Sequence, residues 1–255
     1  MTRPALSVIV PAFEEEVRIG GAVERLRHEL AVPGGVEIVV VDDGSRDATA
    51  DMARRAGADR VLSLPVNRGK GAAVRAGMLA SDGRALAFTD ADLAYSPAQL
   101  LRLLHEVEAG FDVVIGSRRH VETTTLVRAR RLREVSGRVF NLLSRVILLP
   151  SYVDTQCGLK AFSADAARVL FSRARVDGFA FDVELLYLTR RYGLSLREVP
   201  VELANPQTST VRLLRDGPLM MRDLVRVRRW GGAGVYALGP EEQATLGRRG
   251  QGSSR

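Results

Sequence analysis

The sequence predicts an α/β protein, a Rossmann-like, doubly wound, mostly parallel sheet with a mixed C-terminal part. Three observations predict it. Short apolar runs, mostly Val, Ile and Leu, recur at Leu6–Ala12, Val36–Val41, Arg60–Leu64, Ala85–Phe88 and Phe111–Ile115, as strands buried on both faces should. Helix-like stretches over 17–31, 47–56, 71–81 and 97–109 separate them, and strand–helix alternation at this spacing builds a parallel sheet. Polar or Gly-rich residues follow every one of these runs, where open parallel sheets bind their ligands.

The helix boundaries carry their own signals. Ser45 or Asp47 is placed to cap the 47–56 helix. Ser96, Pro97 and Gln99 spell a capping box with proline at the first helical position. Gly57 and Gly110 stand where helices stop. After residue 116 the regularity fails. A Thr run, Thr123–Thr125, leads to a basic helical stretch over 130–147 and a turn-rich segment over 150–160. Helices are expected near 165–173 and 181–192, and a strand near 195–203. Residues 1–230 read as one domain. Residues 231–255, rich in Gly, Ser and Arg without a hydrophobic period, read as a disordered tail.

Composition excludes several classes of function. Of 255 residues, 46% are hydrophobic and 26% charged, which excludes a disordered or fibrous chain. The single cysteine, Cys157, excludes a disulfide scaffold and a Cys-built zinc site and favours a reducing compartment. No apolar run reaches 18 residues, so no transmembrane helix is expected, and no secretory signal pattern opens the chain. The net charge of +7 is concentrated: eight Arg against two Glu fall in 117–150, and six Arg against two Asp in 212–230, leaving the rest acidic. Such segments suit nucleic acid, an anionic membrane or a phosphorylated substrate. The acidic balance elsewhere and an aromatic content of 5% argue against nucleic acid. Within 130–147 and around Leu219–Trp230, apolar residues recur at helical spacing among arginines. Each stretch reads equally as a helix on anionic lipid or a helix packed on the domain, and the pair together favours the membrane surface.

The strand ends hold the candidate chemistry. Pro11-Ala12-Phe13-Glu14 follows the first strand, Asp42-Asp43-Gly44-Ser45 the second, Asn67-Arg68-Gly69-Lys70-Gly71 the third, Asp90-Ala91-Asp92 the fourth and Gly116-Ser117-Arg118 the fifth. Asp90 and Asp92 are the sharpest signal. Two carboxylates two residues apart can hold one Mg2+ or Mn2+, hard ions that complete their shells with water and substrate phosphates. Turn chemistry is the competing explanation. Asp42 and Asp43 can accept hydrogen bonds from a base or ribose. The Gly69-Lys70-Gly71 run lacks the Ser or Thr of a P-loop, and Val74 breaks a dinucleotide fingerprint, so neither an ordinary NTPase nor a dehydrogenase fits. Lys70 and Lys160 are the only two lysines beside 35 arginines, which hints at a compact charge needed at a phosphate. Asp182 and Glu184 open a helix, where carboxylates are common for electrostatic reasons alone.

Taken together, these residues resemble family 2 glycosyltransferases of the GT-A fold, and within them the polyprenyl- and dolichyl-phosphate β-glucosyltransferases. The resemblance spans residues 5–210 and rests on Val10–Glu15, Val41–Ser45, Asn67–Gly71, the Asp90/Asp92 pair, Gly116–Arg118 and Asp154-Thr155-Gln156-Cys157-Gly158-Leu159-Lys160. It implies inverting transfer of a hexose from a nucleotide sugar, UDP-glucose foremost, to a lipid phosphate. Residues 1–116 would then bind the donor through Pro11, Ala12, Phe13, Glu14, Asp42, Asp43, Lys70, Asp90 and Ala91. Asp90 and Asp92 would hold the metal. Residues 117–230 would face the acceptor, with Arg118 and Lys160 on its phosphate and Gln156 alongside. Asp182 or Glu184 would act as base were the acceptor a hydroxyl. Many such synthases carry transmembrane helices, so a chain without them is expected to be cytoplasmic and peripheral at the inner face of the membrane. A mannosyl donor, a soluble hydroxyl acceptor and a non-catalytic nucleotide-sugar-binding module remain as alternatives.

Overall fold

A computed structural model describes residues 3–117, 157–203 and 213–250. In chain order the elements are β1 (Leu6–Ala12), α1 (Ile19–Glu29), β2 (Val36–Asp42), α2 (Thr49–Arg55), β3 (Arg60–Ser63), α3 (Lys70–Ala80), β4 (Ala85–Phe88), α4 (Ala98–Glu108), β5 (Val113–Ser117), β6 (Lys160–Ser163), α5 (Ala164–Arg173), α6 (Phe181–Arg191), β7 (Leu196–Pro200), α7 (Leu213–Gly232) and α8 (Pro240–Gly250). The strands form one sheet in the order β3-β2-β1-β4-β6-β5-β7. Pairing is parallel from β3 to β4 and between β5 and β7, while β6 runs antiparallel to both neighbours. The expected mixed C-terminal part is this one strand, which arrives after the stretch 118–156 and places Lys160 opposite Phe88.

The strands are near-continuous apolar runs because both faces of the sheet are covered, successive side chains entering opposite cores. Ile9, Val39, Val41 and Phe88 face a core closed by α3, α5, α6 and α7. Val8, Val10, Ile38, Val40 and Ala87 face the other core, closed by α1 and α4. Two sequence expectations fail here. Ser96 and Gln99 form no capping box, and the start of α4 has no side-chain cap. The Gln99 amide is spent instead on the chain after β7, donating to the Glu202 carbonyl and accepting from the Glu202 N–H, both at 2.8 Å. That two-point mimic of a strand pairing outweighs one helix cap.

Residues 231–250 of the expected tail are the second correction; residues 251–255 lie outside the described residues. Residues 240–250 form α8, and Tyr236 ahead of it is fully buried. Burial of one aromatic, with Trp230 edge-on at 6.3 Å and the Tyr236 carbonyl accepting from Tyr192 Oη at 2.9 Å, anchors the segment without a hydrophobic period. Glu242 then caps the α8 start through Gly239 N (2.8 Å) and pairs with Arg173. The Leu219–Trp230 stretch also resolves: Met220, Leu224 and Val227 lie in the core, so the apolar face of α7 packs on the domain. The 130–147 stretch lies outside the described residues. Among the described residues no helix is long and apolar enough to cross a membrane.

Candidate active site

The carboxyl ends of β1, β2 and β4 meet at one edge, and their loops are tied together. Glu14 N donates to Ser45 Oγ (2.9 Å) and Glu15 N to Thr49 Oγ1 (2.8 Å), stitching the loop after β1 to the loop after β2. Ser45 N donates to Asp42 Oδ1 at 3.0 Å. Ser45 is therefore an inter-loop tie, and Asp47 takes the Thr49 N–H at 3.0 Å. Pro11 and Ala12 lie within β1, paired with Val41 and Asp42, and Ala12 O accepts from Asp43 N at 2.8 Å. Phe13 is exposed beside them. Glu14, with φ of 54°, and Leu93, with φ of 45°, sit in the left-handed region. Strain of that kind, costing about 1–3 kcal/mol each, persists only where the surroundings enforce it and clusters at functional edges.

Asp43 is buried, and both its oxygens are taken by the loop before α3, from Arg68 N at 2.9 Å and Gly69 N at 2.7 Å. Burial pushes its carboxyl pKa up, and the two N–H donors pull against that. Asp43 thus shapes the loop that carries Lys70. Gly69 and Gly71 admit the backbone of residues 176–178. A Cβ at Gly71 would stand 2.5 Å from Val176 O, and Gly69 holds φ of +110° against Asp177 O. Lys70, between them, opens α3 and pairs with Asp90 Oδ1.

The β4 end then presents its two carboxylates. Asp92 Oδ1 accepts from Ala94 N at 3.0 Å. Among the described residues, Oδ2 of Asp90 and Oδ2 of Asp92 accept no hydrogen bond. Burial raises the Asp92 pKa, and the Asp90 charge raises it further. Two repelling carboxylates with free oxygens, beside one lysine, fit a divalent cation whose remaining ligands are water and diphosphate. Ala91, between them, is buried. Gly158 lies so close to Asp90 that a Cβ would collide with Oδ2. In the sequence Gly158 stands out only as a member of the Asp154–Lys160 motif, which does not say that it packs on Asp90.

Beneath this edge lies a second pair. Lys160 opens β6 and is fully buried; its Nζ donates to Cys157 O at 2.6 Å and to Asp182 Oδ1 at 2.7 Å. The expected contact of Lys160 with an acceptor phosphate is therefore corrected: both strong bonds of the ammonium point inward, as desolvating it requires. Burial raises the Asp182 pKa, with the Lys160 and Lys70 charges opposing and Asp90 adding to the rise. For Lys70, burial would lower the pKa, but Asp90, Asp182 and Asp92 outweigh it and the net shift is upward. Two ion pairs, Lys70–Asp90 and Lys160–Asp182, thus lie within reach of each other's charge, with Asp92 beside the first. Glu184 is corrected too. It is fully buried and accepts from the backbone N–H groups of Arg175 and Val176 and from Tyr236 Oη, so it has no proton-accepting role at the edge. Arg118 and Gln156 lie outside the described residues.

The model of the family described as glycosyl transferase family 2 matches residues 7–171. Dolichyl-phosphate beta-glucosyltransferase of Drosophila melanogaster is 37% identical, over 87% of this chain and 74% of that one. The enzymes of the same name from Dictyostelium discoideum and Homo sapiens are 33% and 31% identical, over 88% of this chain and 73% and 74% of theirs. The fold is similar to that of glucosyl-3-phosphoglycerate synthase from Mycobacterium tuberculosis, solved with Mn2+, UDP and glucosyl-3-phosphoglycerate, at a TM-score of 0.65 and 24% identity over 88% of this chain and 78% of that one. The doubly wound, mostly parallel sheet is thus the GT-A fold, and on its sequence the chain belongs to glycosyl transferase family 2.

Proposed function

We propose that the protein transfers glucose from UDP-glucose, with inversion, to a dolichyl-type polyprenyl phosphate. The observation that carries this is the β4 edge: among the described residues, Asp90 and Asp92 each keep an oxygen without a hydrogen bond, with Lys70 paired to Asp90, in a chain whose relatives of 31–37% identity bear the name dolichyl-phosphate beta-glucosyltransferase. Pro11, Ala12, Phe13, Glu14 and Asp42 line the nucleotide end, and Asp43 and Ala91 hold its loops in shape. Asp90 and Asp92 would hold Mg2+ or Mn2+, which when bound neutralises the charge of the departing diphosphate. Lys70 lies where it can share that charge.

A phosphate monoester, with a second pKa of about 6, is already largely dianionic at neutral pH and attacks without a strong base. What the protein supplies is position and cations. Asp182, held by Lys160 within range of the Lys70 charge, would help orient the incoming group. Arg118 and Gln156, outside the described residues, are the further candidates for the acceptor on sequence alone. The basic stretch over 117–150 supports peripheral contact with an anionic membrane on the cytoplasmic side, where a lipid phosphate would be met.

Release of UDP from UDP-glucose in the presence of Mg2+ tests this, with and without a short polyprenyl phosphate. Release is expected to require the lipid phosphate and to fall by at least about a hundredfold in Asp92→Asn. UDP binding without release on lipid phosphate would sink the reading, and GDP-mannose would be tried next. The raised pKa of Asp182 favours one alternative, a soluble hydroxyl acceptor served by that carboxylate as base. Turnover on small glycosides without lipid, abolished by Asp182→Asn, would establish it.

A further inference from the structure

The mechanism leaves Glu184 and Tyr236 unused, yet both are fully buried and joined to each other. Tyr236 Oη donates to Glu184 Oε1 at 2.5 Å. Glu184 also accepts from Arg175 N at 3.0 Å and Val176 N at 2.8 Å. It thereby holds the short loop between α5 and α6 by its backbone. That loop in turn holds the start of α3. Asp177 O accepts from Ala72 N at 3.1 Å, and its carboxylate accepts from Arg68 at 3.2 Å and Arg75 at 2.5 Å. Val176 O and Asp177 O press so closely on Gly71 and Gly69 that neither glycine could carry a side chain. Lys70 stands between these two glycines and pairs with Asp90.

We propose that Tyr236 and Glu184 are positioning residues, which through the 175–177 backbone set where Lys70 meets Asp90 and so make the segment after α7 a support of the donor site. The inference rests on the reading of Lys70 and Asp90 as the diphosphate end. Tyr236 touches no reacting atom. Its ring fills the core and its hydroxyl completes the shell of a buried carboxylate, which otherwise relaxes toward other donors and carries the loop with it.

The test uses Tyr236→Phe, which keeps the ring, with Glu242→Gln as control. Glu242 fastens α8 to Arg173 and has no contact with Glu184. Both variants are expected to lower Tm. At a temperature where both are folded, Tyr236→Phe should lower kcat about tenfold, the scale of a small misplacement at a reacting centre, while Glu242→Gln leaves kcat unchanged. Hydrogen exchange should quicken at residues 70–74 and 175–178 in Tyr236→Phe, and only within 239–250 in the control. Combined with Lys70→Met, Tyr236→Phe should cost no further activity, because its effect passes through Lys70. Glu184→Gln, which keeps one acceptor oxygen, should move the same amides if Tyr236→Phe does not fold. Unchanged exchange in the first turn of α3, or additive losses with Lys70→Met, would overturn the proposal. Quickened exchange at 70–74 in Tyr236→Phe, with a wild-type protein that transfers no glucose, would leave the positioning intact and put the failure on the assigned reaction.

Discussion

Gly158 and Asp90 show how one missing methyl group shapes the site. The backbone of Gly158 packs against Oδ2, so Gly158→Ala would push the carboxylate aside. Mn2+ affinity and transfer rate are expected to fall about tenfold, with the Tm nearly unchanged; isothermal titration and a melting curve check this. Lys160 and Asp182 behave differently, because neither tolerates the loss of its partner. Lys160→Met leaves a buried carboxylate and is expected to cost about 3–5 kcal/mol, much of it regained in Lys160→Met with Asp182→Leu, as denaturant titration would reveal. Asp182 also sets a pH dependence. Burial raises its pKa above the ordinary 3.8, so the native state binds its proton more tightly than the unfolded chain. Its contribution to stability is therefore most favourable at low pH and declines as pH rises from about 3.8 through the raised native value. With a hydroxyl acceptor served by Asp182 as base, the acid limb of kcat should be displaced upward, in the direction in which burial moves this carboxyl. A stability–pH curve for Asp182→Asn that keeps the wild-type slope in this window would refute the assignment.

At the scale of elements, the same residue types serve different ends from those their spacing advertises. The glycines flanking Lys70 fit no standard phosphate motif, and the structure shows what they serve: they admit the 176–178 backbone. In the sequence Asp42 and Asp43 stand alike at a strand end, each able to accept hydrogen bonds from a base or ribose. The structure turns Asp43 inward onto Arg68 N and Gly69 N and leaves Asp42 bracing Ser45. The amphipathic stretch at Leu219–Trp230 has the period of a lipid-facing helix, and a period cannot say which apolar surface it meets. Leu224 is fully buried against the domain. Leu224→Ala is expected to cost about 2–5 kcal/mol in chemical denaturation, the usual result of a core truncation. A helix lying on lipid would instead keep its Tm and lose vesicle binding.

For the whole molecule, charge decides the encounter with a membrane. The described α/β body is overall less basic than 117–150, where eight of the arginines lie. Vesicles containing anionic lipid should bind the protein at low salt and release it as ionic strength passes about 0.3 M, where screening acts over about 6 Å. Flotation across a salt series measures this, and binding to neutral vesicles that ignores salt would contradict it. The lipid-phosphate acceptor and the basic segment would then act together, the first supplying the substrate and the second the surface on which it is found.

Alternating apolar runs and helical spacing were enough to set the parallel sheet, its first four strands and the edge where Asp90, Asp92, Lys70 and Asp42 gather, because burial on both faces writes itself into local periodicity. The six motifs in order were likewise enough to place the chain in its family. What local patterns do not encode is which partner a buried polar group finds across the chain. Lys160 turned inward to Asp182, and Glu184 was claimed by a tyrosine 52 residues away. Gln99 left its helix cap for the strand end at Glu202. Each was decided by tertiary structure, since an unpaired polar group costs most where water is absent, and only the assembled core determines where that is.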